Sequence, residues 1–310
     1  MPLRTYVFPT RVARLLSVTS FIVTVFLCHW NFIKAALLAY AFIFFDDGPL
    51  HGERYWPAFA RLPLWKWYVQ RVLNVHLHAE CGILDSSQKY IFAAHPHGIL
   101  AWQHYATFTD GCDFLSKVAA GLERRDLVAS ALLWCPFIRD FALWLGCVDA
   151  SPSVAERQLR LGRSLLIFTG GEHEQVLTEP YCQRIVLRKR KGFLRLALRH
   201  GAHILPVYAF GENELYVTWP RFAQRFRLWL VRRTRVPLLL FRGRWFTLWP
   251  DTRVPVHVVI GKPVRVPGPI NEPSDEQILA LQKRVLDAFV QLFERHKGRF
   301  GYGKQDLLIV

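Results

Sequence analysis

Lys89-Tyr90-Ile91-Phe92-Ala93-Ala94-His95-Pro96-His97-Gly98 is a short apolar run that ends in two imidazoles. A run this short, apolar and aromatic reads as a buried strand, and residues 100–108 read as the start of a helix. Pro96 stiffens the turn between them and Gly98 frees it. The positive end of a helix dipole disfavours an imidazolium, so a histidine here tends to stay neutral and able to accept a proton. Outward from this turn, residues 164–169, 204–210 and 256–260 read as further buried strands, and residues 153–161, 192–200 and 274–297 as helices. That alternation predicts an α/β domain with a central sheet. Pro206 argues that its strand is an edge or is broken there. The last helix is signed at both ends, by a Ser274/Gln277 capping box and by Gly298. Residues 268–273 form a loop within one domain.

The chain has 310 residues, 52% of them hydrophobic and 14% aromatic with 11 Trp, and a formal net charge of +16. Apolar and strongly basic together point to a membrane with anionic headgroups or to anionic ligands. Nucleic acid is the competing reading of the charge; it is disfavoured because the cations are interleaved with apolar residues and no nucleic-acid motif accompanies them. Residues 15–45 are almost continuously apolar, interrupted by His29-Trp30-Asn31 and Lys34. One helix through that stretch would outrun a hydrocarbon core of roughly 30 Å, which predicts a break and a membrane hairpin, with a single tilted span as the alternative. Arg4, Arg11 and Arg14 favour a cytosolic start. The expected organisation is a membrane segment over residues 1–50 and a membrane-associated domain over 51–310. Residues 55–68 and 221–250, rich in Trp and Arg, read as interfacial or as core under a basic face. The six cysteines show no pairing or metal-ligand spacing, as expected of reduced thiols facing cytosol.

Five further blocks accompany the His-Pro-His-Gly turn: Phe137-Ile138-Arg139-Asp140, Thr169-Gly170-Gly171-Glu172-His173-Glu174, Arg188-Lys189-Arg190-Lys191-Gly192-Phe193, Leu196-Ala197-Leu198-Arg199-His200-Gly201-Ala202, and Leu205-Pro206-Val207-Tyr208-Ala209-Phe210-Gly211-Glu212-Asn213-Glu214-Leu215-Tyr216. In order and spacing, from Tyr90 to the C-terminus, the chain resembles the type-2 diacylglycerol acyltransferase family, which also contains monoacylglycerol and wax-ester acyltransferases. Upstream, Tyr68-Val69-Gln70-Arg71 stands roughly where that family has Tyr-Phe-Pro. The resemblance implies a glycerolipid-acyltransferase-like α/β fold and transfer of an acyl group from acyl-CoA to the hydroxyl of diacylglycerol. Acyl-CoA is then a substrate, and no cofactor is required. It also implies the endoplasmic reticulum membrane, a cytosolic catalytic domain, and possible lipid droplets; homo-oligomers are left open. Monoacylglycerol or a fatty alcohol as acceptor is the nearest alternative. A non-catalytic lipid-surface protein is a more distant one, and the absence of Gly-x-Ser-x-Gly speaks against a soluble hydrolase.

Acyl transfer needs a base for the hydroxyl proton and a site for each substrate. The resemblance makes His97 the expected base, with His95 orienting the turn or a substrate. Related glycerol-phosphate acyltransferases carry Asp five residues after the histidine, where this chain has Trp102, so Glu174 is the expected carboxylate partner, with Glu172 able to substitute. Gly170 and Gly171 form its turn, or a plain Gly-Gly turn with solvated acids. Arg188, Lys189, Arg190 and Lys191, placed before a helix, are expected to bind coenzyme A phosphates, with a solvated face as the alternative. Arg139 either contacts a second anion or pairs with Asp140. Glu212 and Asn213 hold either the acceptor or the fold. Trp134, Phe137, Phe141 and Trp144 either line an acyl tunnel or form core. His95, His97, His104, Glu172, His173 and Glu174 are all metal-capable, but none shows a zinc-motif spacing, and no metal is expected.

Overall fold

A computed structural model describes residues 8–234 and 236–310. The chain divides into a first unit ending at Asp47 and a second, Gly48–Val310.

In the first unit one helix, Phe8–Phe44, runs unbroken through His29-Trp30-Asn31. This corrects the expected hairpin. Polar side chains do not interrupt a helix whose backbone bonds are internal; glycine and proline do, and between Pro9 and Gly48 the chain has neither. His29 turns its Nδ1 onto the carbonyl of Val25, 2.9 Å away, and Lys34 lies 5.6 Å from the ring centre of Trp30. Within the helix, Ile22–Ala41 is long and apolar enough to cross a membrane: its 20 residues span about 30 Å. Arg4 lies outside the described residues.

The second unit is built on a seven-stranded sheet: β1 (Val75–Ala79), β2 (Tyr90–His95), β3 (Arg124–Val128), β4 (Cys147–Asp149), β5 (Ser164–Phe168), β6 (His203–Phe210) and β7 (Val256–Ile260). Their order is β1-β7-β6-β2-β5-β3-β4, parallel throughout except where β7 meets β6. The expected helices at Pro152–Arg160, Gly192–His200 and Asp275–Lys297 are present, the last with its capping box closed at Ser274 and Gln277. Alternation along β2 divides the core. Ile91 and Ala93 pack with Val285, Phe289 and Phe293 of the C-terminal helix, whereas Phe92 and Ala94 pack on the other face with Val69, Ala106 and Phe114.

Two local expectations need correction. Pro206 sits in the middle of β6, an interior strand. The amides on either side explain why it is tolerated: His203 N–H reaches Lys89 on the β2 side and Ile204 N–H reaches Val264 on the other. By that alternation the donor Pro206 lacks would point where β7 has just ended, at Gly261, whose own N–H bonds the Pro206 carbonyl. Residues 100–108 form two short pieces rather than one helix, a 3₁₀ turn at Trp102–His104 and a single α-turn at Tyr105–Phe108.

The topology places the site. The chain leaves β2 toward β3 on one side of the sheet, while β5, its neighbour, continues to β6 on the other. Adjacent parallel strands whose exits diverge leave a crevice at their C-terminal ends. His95-Pro96-His97-Gly98 leaves β2 and Thr169-Gly170-Gly171 leaves β5 at that point.

Candidate active site

His95 ends β2 on the face that carries Ile91 and Ala93, fully buried, with its ring edge-on to Phe289 at 5.2 Å. Both ring nitrogens are committed. Nδ1–H donates to the Glu174 carboxylate (2.9 and 3.1 Å), and Nε2 accepts from the Thr169 hydroxyl at 2.5 Å. Glu174, in the turn of helix Gly171–Leu177, is also buried and takes two main-chain donors, His97 N–H at 2.5 Å and Val186 N–H at 2.7 Å. One carboxylate thus joins the β2 turn, the β5 turn and the segment leading to the basic run. The two glycines follow from this: a methyl group on Gly170 would stand 2.1 Å from Glu174 Oε2, and Gly171 has φ +55°.

His97 is placed differently. The His95–Pro96 bond is cis, and His97 leaves the strand to face Phe168 with ring centres 4.9 Å apart. Its Nδ1 is buried without a hydrogen-bond partner. Burial pushes the imidazole below the usual histidine range, and the Glu174 charge opposes that shift without cancelling it. The expected pairing is therefore corrected in one respect: Glu174 holds the ring of His95 and meets His97 only through its main chain and its charge.

His97 lines a cavity of about 290 Å³ with Leu100, His104, Leu127, Ala129, Leu132, Phe168 and Glu172 among its walls. Glu172 is here a wall residue rather than a substitute for Glu174. His104, not expected as a site residue, hydrogen-bonds Asp126 at 2.5 Å; Asp126 is fully buried and paired with Arg124 at 2.7 Å. Burial alone would raise the Asp126 carboxyl, but Arg124 and His104 together hold it below the usual range. The four aromatics read as tunnel or core do not line this cavity. Phe141 and Trp144 pack on Phe59 at 5.9 and 5.7 Å, while Trp134 and Phe137 are exposed.

The remaining expected residues divide between the site and its scaffold. Glu212, buried past the end of β6, accepts the N–H groups of Trp102 (2.9 Å) and Gln103 (2.8 Å). It also closes on Gly98, where a methyl group would meet its Cγ at 2.6 Å. Both oxygens thereby fasten the segment that leaves His97. Burial raises the Glu212 carboxyl to about 8. Asn213 is buried and donates to the carbonyl of Cys182 at 3.0 Å. Arg139 is buried on helix Ile138–Trp144, 3.9 Å from Asp140, which pairs with Arg54 at 2.7 Å. In the basic run Arg190 reaches into the site, donating to the Gly170 carbonyl at 2.8 Å with His173 Nδ1 at 3.3 Å. Arg188 ties its Nε–H to the carbonyl of Ile309, Lys189 is exposed, and Lys191 precedes helix Gly192–His200. Thr169 and Gln103, whose side-chain amide donates to the Pro96 carbonyl, were not singled out by the sequence; Thr169 stands in the Gly-Gly block and was the more legible. Among the described residues no three His, Cys, Asp or Glu side chains are disposed to hold a metal ion.

The profile of the diacylglycerol acyltransferase family matches residues 23–310. Diacylglycerol O-acyltransferase 2B of Umbelopsis ramanniana is 33% identical over 82% of this chain and 76% of its own length. Acyl-CoA wax alcohol acyltransferase 2 of Mus musculus is 32% identical, covering 92% and 88%. 2-acylglycerol O-acyltransferase 1 of Bos taurus is 31% identical, covering 93% and 88%.

Proposed function

The chain belongs to the diacylglycerol acyltransferase family and is an enzyme that transfers acyl groups; from that premise we propose that it acylates diacylglycerol from acyl-CoA, with His97 as the base. The observation that carries this is the contrast between the two histidines. His95 spends both nitrogens inside the protein, whereas His97 lines the cavity and its buried Nδ1 has no hydrogen-bond partner.

The acceptor hydroxyl gives its proton to neutral His97 as its oxygen attacks the thioester carbonyl, so no free alkoxide forms. The new C–O bond gives a tetrahedral oxyanion, the C–S bond then breaks, and the proton held on His97 passes to the departing thiolate. Glu174, close enough to act on the imidazole by charge, stabilises the transient imidazolium, while the Thr169–His95–Glu174 chain keeps the turn in place. The step balances without a redox or metal cofactor. Arg190, at the Gly170 turn, and its neighbours Arg188, Lys189 and Lys191 supply cations for coenzyme A phosphates. The helix Ile22–Ala41 fits a membrane-anchored enzyme, and a soluble acyl donor suits a catalytic domain facing cytosol, at the endoplasmic reticulum or a lipid-droplet surface. Monoacylglycerol or a long-chain alcohol is the second reading, favoured by relatives named for those acceptors at nearly the same identity.

Membrane preparations given labelled acyl-CoA with diacylglycerol, monoacylglycerol or long-chain alcohol in parallel test the proposal. It requires triacylglycerol as the main ester. A dominant wax ester or diacylglycerol product would reassign the acceptor.

A further inference from the structure

Residues 217–250 contain eight arginines and four tryptophans and not one acidic residue. The segment forms an arm with helix Gln224–Thr234 at its centre. That helix buries a cation and exposes its rings. Arg227 is 2% exposed and is used as a clamp, its guanidinium donating to the carbonyls of Leu238, Trp219 and Pro220 at 2.8, 2.9 and 3.2 Å. Val231, one turn on, is buried beside it. At about 100° per residue, Arg225 and Trp229 then fall on the opposite side, flanked by Phe226, Arg232 and Arg233. All five are exposed, and the Phe226 and Trp229 rings stack at 5.9 Å.

The same chemistry recurs at the end of the arm. Trp245, Phe246 and Leu248 are 70%, 81% and 70% exposed, with the Arg244 guanidinium 4.1 Å from the Trp245 ring centre and that of Arg242 4.4 Å from Phe246. Rings that face outward with guanidinium groups among them suit the boundary between acyl chains and anionic headgroups, where the rings enter and the cations stay at phosphate level. A water-facing helix would carry its charges outward and its aromatics inward.

We propose that this arm is a second membrane contact, docking on an anionic phospholipid leaflet with Phe226, Trp229, Trp245 and Phe246 inserted and Arg225, Arg232 and Arg233 among the phosphates. The contact is independent of which acceptor is acylated. It adjoins the chemistry: the Tyr216 hydroxyl accepts from Trp102 Nε1 at 2.6 Å and donates to the Leu248 carbonyl at 3.0 Å, and Trp102 belongs to the segment Glu212 fastens behind His97. The docked arm therefore sets the crevice beside the leaflet that delivers a lipid acceptor.

The full chain is reconstituted in phosphatidylcholine vesicles, with and without phosphatidylserine, whose acyl chains carry bromine as a fluorescence quencher. The emission lost in Trp229→Phe/Trp245→Phe, taken as a difference from the parent protein, reports on the arm alone. That difference emission is expected to be largely quenched by the brominated chains, more so with phosphatidylserine. The extra quenching should be lost in Arg225→Glu/Arg232→Glu/Arg233→Glu. Difference emission quenched by aqueous iodide and not by brominated lipid would overturn the proposal. So would quenching that follows protein density instead of lipid composition, which marks a second copy of the chain as the occupant. If the arginine variant does not fold, the tryptophan pair decides the question.

Discussion

Glu174→Gln changes one atom of the side chain and should damage both stability and rate. Every group that meets the carboxylate is a donor: His95 Nδ1–H, His97 N–H and Val186 N–H. A glutamine presents one acceptor and one NH₂, so whichever way it turns, a buried main-chain N–H faces another donor. An unsatisfied buried N–H costs about 1–3 kcal/mol, and exchanging a charge-assisted bond to His95 for a neutral one adds about 1 kcal/mol. A total of roughly 3 kcal/mol lowers Tm by about 6–12 °C for a domain of this size. Losing the charge near His97 also removes support for the imidazolium, and each pKa unit so lost costs at most about tenfold in rate. Thermal unfolding followed by intrinsic fluorescence, alongside kcat for acyl transfer, checks both. A Tm within about 1 °C of the parent and a kcat within about twofold would refute the account of Glu174 as clamp and charge partner.

Other outcomes follow from the same geometry. His95→Ala takes one of three donors from the buried Glu174 carboxylate and empties a fully buried ring site, which should cost about 3–5 kcal/mol, visible as a collapse of Tm, whereas His97→Ala should abolish ester formation with little change in Tm. Because burial holds the His97 imidazole below the ordinary histidine value, kcat/KM should rise with pH only below about 6.5 and be flat through neutrality; the proton acceptor is the neutral ring, so a rising limb centred at or above that value contradicts the assignment. Gly170→Ala forces a methyl group to 2.1 Å from Glu174 Oε2 and should inactivate, while Gly192→Ala meets nothing within 4 Å and should stay active; unfolding curves and activity of the pair settle the point.

Much of the scaffold was legible because its signals are local. The apolar runs of β2, β5, β6 and β7 and the capped helix Asp275–Lys297 carry their own period and boundaries. The hairpin was misread because His29-Trp30-Asn31 is a break in hydrophobicity, and a helix breaks at residues that fail its backbone, of which the stretch has none. Pro206 was misread because whether a missing donor matters depends on the neighbouring strand, which ends at Ile260. The sequence brought the two turns together, yet it left open which imidazole meets Glu174. That depends on the pleat: His95 inherits the buried face of β2, and His97 lies beyond it. The cavity walls were the least legible, since Leu127, Ile167 and Phe168 come from strands remote in sequence from His97, and Ala129 directly follows one of them.

The central claim is that His97 takes the acceptor proton while His95 holds the turn. Its most direct test is single-turnover ester formation from labelled acyl-CoA and diacylglycerol across pH, comparing the parent enzyme with His97→Ala of verified fold. The account predicts triacylglycerol from the parent, with a rate that falls only as His97 is protonated on the acid side, and none above background from the variant. A His97→Ala protein that forms the ester at the parent rate with the same pH profile would contradict it.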